Sequence, residues 1–139
     1  MNFPIEELRA QETPCYYYDL TLLKETLSEV KNSIGNSPFH VHYAVKANAN
    51  PIILSTIKDA NLGVDCVSGW EVEAAIKEEF EAKKIVFAGV GKTDKEINYA
   101  LDNNIFCFNV ESVPELEVIN DLAAAKGKVA NVAIRVNPN

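Results

Sequence analysis

The sequence predicts an α/β protein, a parallel sheet covered by helices. Two features predict it. Short, nearly continuous apolar runs recur at residues 41–46, 64–67, 85–89, 105–110 and 132–136, as expected of strands buried on both faces. Amphipathic segments of helical period separate them, and three of these open with a Ser/Thr-x-x-Glu spacing that marks a helix start. No linker, low-complexity stretch or shift of composition divides the 139 residues. Two architectures satisfy this pattern, an open doubly wound sheet and part of a barrel, and both gather function at the C-terminal ends of the strands.

Hydrophobic content of 47% and charged content of 24% are those of a globular chain. A net charge of -7 with no basic run argues against a nucleic-acid partner. No apolar stretch is long enough for a bilayer, so no membrane partner is expected. The segment Met1 to Glu7 lacks the basic and apolar regions of a secretory leader. Cys15, Cys66 and Cys107 are odd in number, far apart and set in apolar runs. They are expected to be buried, reduced thiols in a cytoplasmic protein, with no metal site.

Thr13-Pro14-Cys15-Tyr16-Tyr17-Tyr18-Asp19 reads as a short aromatic strand entered through a proline. Leu23, Leu27, Val30 and Ile34 then recur at helical spacing until Gly35. After the strand at 41–46, Asn50 caps a helix with Pro51 at its first position. That helix breaks at Asn61-Leu62-Gly63. The second strand follows, and Ser68 with Glu71 starts a helix predicted to run to about Lys83. Thr93 with Glu96 and Ser112 with Glu115 start the next two, after the third and fourth strands. Gly127 stops the last helix, and the fifth strand ends in Asn137-Pro138.

Side chains alternate along a strand, so His42, Ala44 and Lys46 share one face. A lysine closing an apolar strand either snorkels to solvent or has a task for its amine. Small Ala44 beside it leaves room for a ring. Asp65 lies in the C-terminal half of the second strand, Gly89 ends the third, Asn109 and Glu111 end the fourth, and Arg135 lies on the fifth. Asp65 and Arg135 either face a ligand or pair with each other. Glu71 and Ser68 are explained by capping alone, and His42 reads as a satisfied strand histidine. Gly89-Val90-Gly91-Lys92-Thr93 resembles the end of a phosphate-binding loop, but the first glycine that motif requires is replaced by Val86. The segment is expected to end a strand and cap a helix.

Tyr43-Ala44-Val45-Lys46-Ala47-Asn48 resembles the lysine motif of the fold-type III pyridoxal-phosphate enzymes, the group of alanine racemase and the ornithine and diaminopimelate decarboxylases. Val64-Asp65-Cys66-Val67-Ser68-Gly69, Ile85-Val86-Phe87-Ala88-Gly89, Phe108-Asn109-Val110-Glu111-Ser112 and Arg135-Val136-Asn137-Pro138 follow in the order of the decarboxylase branch. The resemblance implies a partial (β/α)8 barrel, about its first five βα units, preceded by a short N-terminal strand and helix. Residues 1–35 would pack with a later β domain and 36–139 would begin the barrel. It implies pyridoxal 5'-phosphate held on Lys46 as a Schiff base, with Asp65, Glu71 and Arg135 around the cofactor.

The Phe-Asn-Val-Glu-Ser segment is most similar to the diaminopimelate branch. It implies decarboxylation of meso-diaminopimelate to L-lysine by a homodimer acting on a small amino-acid substrate. An ornithine- or arginine-type decarboxylase, or a cofactor-binding piece without turnover, is the alternative. The family's phosphate cradle and later site residues have no counterpart in these residues, so the chain alone is expected to be inactive. Where the family has Ser-Gly-Gly-Glu, this chain has Ser68-Gly69-Trp70-Glu71, and the tryptophan would either crowd the pocket or pack on a neighbour.

Overall fold

The computed structural model describes residues 3–138. Met1, Asn2 and Asn139, the outer limits of the two expected domains, lie outside them. The order of elements is α1 (Ile5–Arg9), α2 (Leu20–Ile34), β1 (His42–Ala44), α3 (Pro51–Asp59), β2 (Gly63–Cys66), α4 (Gly69–Lys77), β3 (Ile85–Phe87), α5 (Asp94–Asp102), β4 (Cys107–Val110), α6 (Val113–Ala125) and β5 (Val132–Ile134). Each strand pairs in parallel with the next, in the order β1-β2-β3-β4-β5. A doubly wound sheet reverses its strand order at a switch point. This sheet never reverses, and successive right-handed crossovers then lay the helices that connect its strands on one face. The chain is therefore a segment of a singly wound barrel.

Register assigns the two faces. Val64 pairs with Ile85, and Cys66 with Phe87, which pairs with Phe108. These side chains, with Val110, pack under the helices and are buried. Leu54 and Ile57 of α3, Val72 and Ala75 of α4, Ile97 and Ala100 of α5 and Ile119 of α6 close over them. The opposite face carries Ala44, Asp65 and Val86 in register, then Asn109 beside Ala133. It corresponds to the lumen side of a barrel, opposite the helices that follow the strands among the described residues.

The helix boundaries follow local chemistry. Asp19 accepts from the Thr21 and Leu22 amides at the start of α2, and Gly35 at φ 53 ends it. Asn50 caps α3 with Pro51 at its first position. Ser68, Thr93 and Ser112 cap α4, α5 and α6.

Four expectations are corrected. Residues 13–19 form no strand, because no neighbour among the described residues supplies a ladder, and α1 precedes them instead. Cys15 is exposed for the same reason, whereas Cys66 and Cys107 are buried, and all three thiols are free. Helix α4 stops at Lys77, with Glu79 in the left-handed region at φ 60, and a 3-10 turn at Ala82–Lys84 leads into β3. Strand β1 ends at Ala44, so Lys46 belongs to a 3-10 turn at Val45–Ala47. Among the described residues, no helix is long and apolar enough to cross a membrane.

Candidate active site

The turn after β1 decides what Lys46 can do. Val45 is fully buried and anchors it, while Lys46 is exposed. The Tyr43 hydroxyl donates to the Asn48 carbonyl at 3.1 Å, and the Asn48 side chain accepts from the Asn50 amide at 2.9 Å. The turn is thus tied to β1 on one side and to the start of α3 on the other. Lys46 makes no ion pair among the described residues, so its amine is reachable. The amine reaches solvent, as the snorkelling alternative had it, because the chain leaves the sheet one residue before it.

Asp65 sits on β2 directly beside Ala44. Its Oδ1 is buried and has no hydrogen-bond partner. Burial pushes the carboxyl above the usual aspartate range, and His42, Lys46 and Lys92 pull it back in part. An unpartnered buried carboxylate oxygen is costly unless a ligand group uses it. His42 lies with Nδ1 3.3 Å from the Val64 carbonyl oxygen, and its ring fills the space above Gly63, where a Cβ would stand 2.6 Å from that nitrogen. It is a satisfied strand histidine.

Glu71 is buried at 8% exposure. Its Oε2 accepts from the Val67 amide at 2.7 Å, and its own amide donates to the Ser68 hydroxyl at 3.3 Å. Burial first, then Glu71 and Asp65, push the Cys66 thiol far up, so Cys66 is no nucleophile. Arg135 does not pair with Asp65. Its Nη1 donates to Glu111 at 3.1 and 3.3 Å, because β5 lies beside β4 and two strands separate β5 from β2. Lys46 and Asp65 therefore form one end of the rim, and Glu111 with Arg135 the other. Trp70 stands 64% exposed on the first turn of α4.

Two residues that the sequence assigned only to a cap and its preceding loop join this rim. Glu96 completes the cap of α5, accepting from the Thr93 amide and hydroxyl at 2.9 and 2.7 Å, and its Oε1 accepts from the Gly69 amide at 2.7 Å. Lys92, in the segment that resembled a phosphate loop, is buried between β3 and β4 and paired with Glu115 at 2.6 Å. Gly91-Lys92-Thr93 reads locally as a loop and cap, so no signal in the sequence marked it.

A reachable amine and an unpartnered carboxylate at adjacent strand ends of a singly wound barrel are groups that could hold a carbonyl compound. Pyridoxal phosphate fits the chemistry of these residues: Lys46 offers an amine for its aldehyde, and the unpartnered Asp65 Oδ1 offers an acceptor. Residues 20–139 match the pyridoxal binding domain of the pyridoxal-dependent decarboxylases. The chain belongs to that family.

Among its relatives, the diaminopimelate decarboxylase of Bacteroides thetaiotaomicron is 58% identical over 99% of this chain and 36% of its own length. That of Aquifex aeolicus is 42% identical over 91% of this chain and 30% of its own length. A crystal structure of a mutant diaminopimelate decarboxylase from Helicobacter pylori, complexed with L-lysine, superposes with a TM-score of 0.91 at 39% identity, covering 97% of this chain and 34% of that one. The chain spans about a third of the length of the curated relatives it matches.

Proposed function

We propose that this chain is the N-terminal part of a pyridoxal-phosphate decarboxylase that converts meso-diaminopimelate to L-lysine and carbon dioxide. The observation that carries the reading is the Lys46 amine beside the unpartnered Asp65 carboxylate, on a sheet whose sequence relatives are diaminopimelate decarboxylases. When bound, pyridoxal phosphate supplies the electron sink that accepts the bonding pair as carbon dioxide leaves.

Lys46 would hold the cofactor through Nζ. The exposed turn lets a substrate amine approach the same position, as exchange of one amine for another requires. Asp65 offers Oδ1 to a hydrogen-bond donor on the cofactor side of the sheet, and burial keeps water from competing for it. Glu71 fixes the loop after β2 by holding the Val67 amide, which orients the end of the strand that carries Asp65. Arg135, held by Glu111, presents a cation at the far end of the rim, suited to an anionic group of cofactor or substrate. The same reading carries a homodimer, supported by the family resemblance, and a cytoplasmic location, supported by the free thiols.

The test uses the full-length polypeptide that contains this chain. Supplied with pyridoxal phosphate, it is expected to release carbon dioxide from meso-diaminopimelate in preference to ornithine or arginine. Lys46→Ala is expected to lose the visible absorbance of the bound cofactor while keeping the thermal midpoint of the cofactor-free protein, because Lys46 is exposed. Preference for ornithine or arginine would overturn the substrate, and retained cofactor absorbance in Lys46→Ala would overturn the site.

A further inference from the structure

The Lys92 side chain is only 1% exposed. A buried ammonium costs several kcal/mol, roughly, unless its protons are all received. Here they are. Nζ donates to the Gly89 carbonyl at 2.7 Å, the Asn109 carbonyl at 2.8 Å and Glu115 Oε1 at 2.6 Å. It also stands 5.4 Å from the centroid of the Phe87 ring, close enough for a cation-π contact.

These oxygens come from the segment just past β3, the end of β4 and the first turn of α6. The other oxygen of Glu115 accepts from the Glu111 amide at 2.8 Å, and Glu111 is the residue whose carboxylate holds Arg135. On the other side, Lys92 acts on Asp65 through space with no hydrogen bond between them. The groups that act on Asp65 are His42 from β1, Lys46 from the turn after β1, and Lys92 from the segment before α5. Glu71 from α4 acts instead on Cys66, whose side chain points to the other face of β2.

We propose that Lys92 is a positioning residue of the cofactor site, fixing the ends of β3 and β4 and holding the Glu111–Arg135 pair through Glu115. The proposal rests on the decarboxylase reading. A lysine serving only as a brace would be replaceable: buried ion pairs exchanged as a pair for neutral groups of similar volume often leave stability unchanged or improved. What such an exchange removes is the fixed position of the two strand ends and of the Glu111–Arg135 pair.

The experiment compares Lys92→Met, Glu115→Gln, the double variant and Lys46→Ala in the full-length polypeptide. The readouts are the thermal midpoint and pyridoxal phosphate affinity as a function of pH. Lys92→Met, which strands Glu115, is expected to lower the midpoint sharply. The double variant is expected to recover most of it, since glutamine still accepts from the Glu111 amide. It is nevertheless expected to bind pyridoxal phosphate about ten- to a hundredfold more weakly at neutral pH, the size of effect typical of residues that orient a binding group.

The acid limb of binding is expected to move to higher pH in the double variant, because Asp65 has lost a cation that favoured its ionised form. Glu115→Gln alone is expected not to raise the limb. Recovery of both stability and wild-type affinity, with an unmoved limb, would reduce Lys92 to a brace and overturn the proposal. Should both methionine variants fail to fold, Lys92→Arg decides. It keeps the charge but not the fit to three oxygens, so affinity is expected to fall with the limb in place, and wild-type affinity would overturn the proposal. If Lys46→Ala binds the cofactor as wild type does, the decarboxylase reading itself has failed, independently of Lys92.

Discussion

Asp65 carries a cost that its surroundings do not repay. Its Oδ1 is buried without a partner and its carboxyl is held above the usual range by burial. A carboxyl whose value is raised on folding binds more protons in the folded than in the unfolded state across that interval. Folding stability therefore falls as pH rises through it. Asp65→Asn is expected to raise the thermal midpoint at pH 7, and the gain is expected to vanish near about pH 4, the ordinary aspartate range. Thermal denaturation across pH checks this, and a gain of equal size at both ends would exclude Asp65 as its source. Stability given up at a binding residue is the usual sign of a group kept for function. The position of Asp65 was readable from strand alternation, but the missing partner was not, because it depends on what the neighbouring strands present.

At the scale of the elements, the rim is held by its helix starts. Glu96 closes its own cap and also receives the Gly69 amide of α4, and a Cβ on Gly69 would collide with Glu96 Cγ. Hydrogen bonds from Thr93 and from the Gly69 amide hold the Glu96 carboxyl below its ordinary value. Its contribution is therefore present above the usual glutamate range and lost as pH falls through the lowered value. Glu96→Ala is expected to cost about 1–2 kcal/mol at pH 7, measured by denaturant unfolding, with the difference from wild type narrowing in acid. The Thr93 cap was legible because the spacing is local. The bond from Gly69 to Glu96 was not, since it joins residues brought together only when β2 and β3 pair.

Across the whole molecule, burial separates two aromatic residues that composition treats alike. Phe87 is fully buried, lies 6.1 Å from the Phe108 ring and receives Lys92 over its face. Trp70 is 64% exposed. Phe87→Ala is expected to cost about 3–5 kcal/mol, whereas Trp70→Ala is expected to stay within about 0.5 kcal/mol. Urea unfolding of the two variants checks the contrast, and equal losses would contradict the burial of the helix-facing side of the sheet.

The sequence by itself determined the alternation of strand and helix, the caps at Asn50, Ser68, Thr93 and Ser112, the stops at Gly35 and Gly127, and the family, because these reside in neighbouring residues and ordered motifs. Tertiary structure decided that the sheet winds in a single direction, that residues 13–19 carry no ladder, that Lys46 leaves the strand for an exposed turn, that Arg135 pairs with Glu111 and not with Asp65, and that Lys92 turns inward. Each of those depends on which strand lies beside which and on what the packed neighbours leave unsatisfied, and no local pattern encodes either.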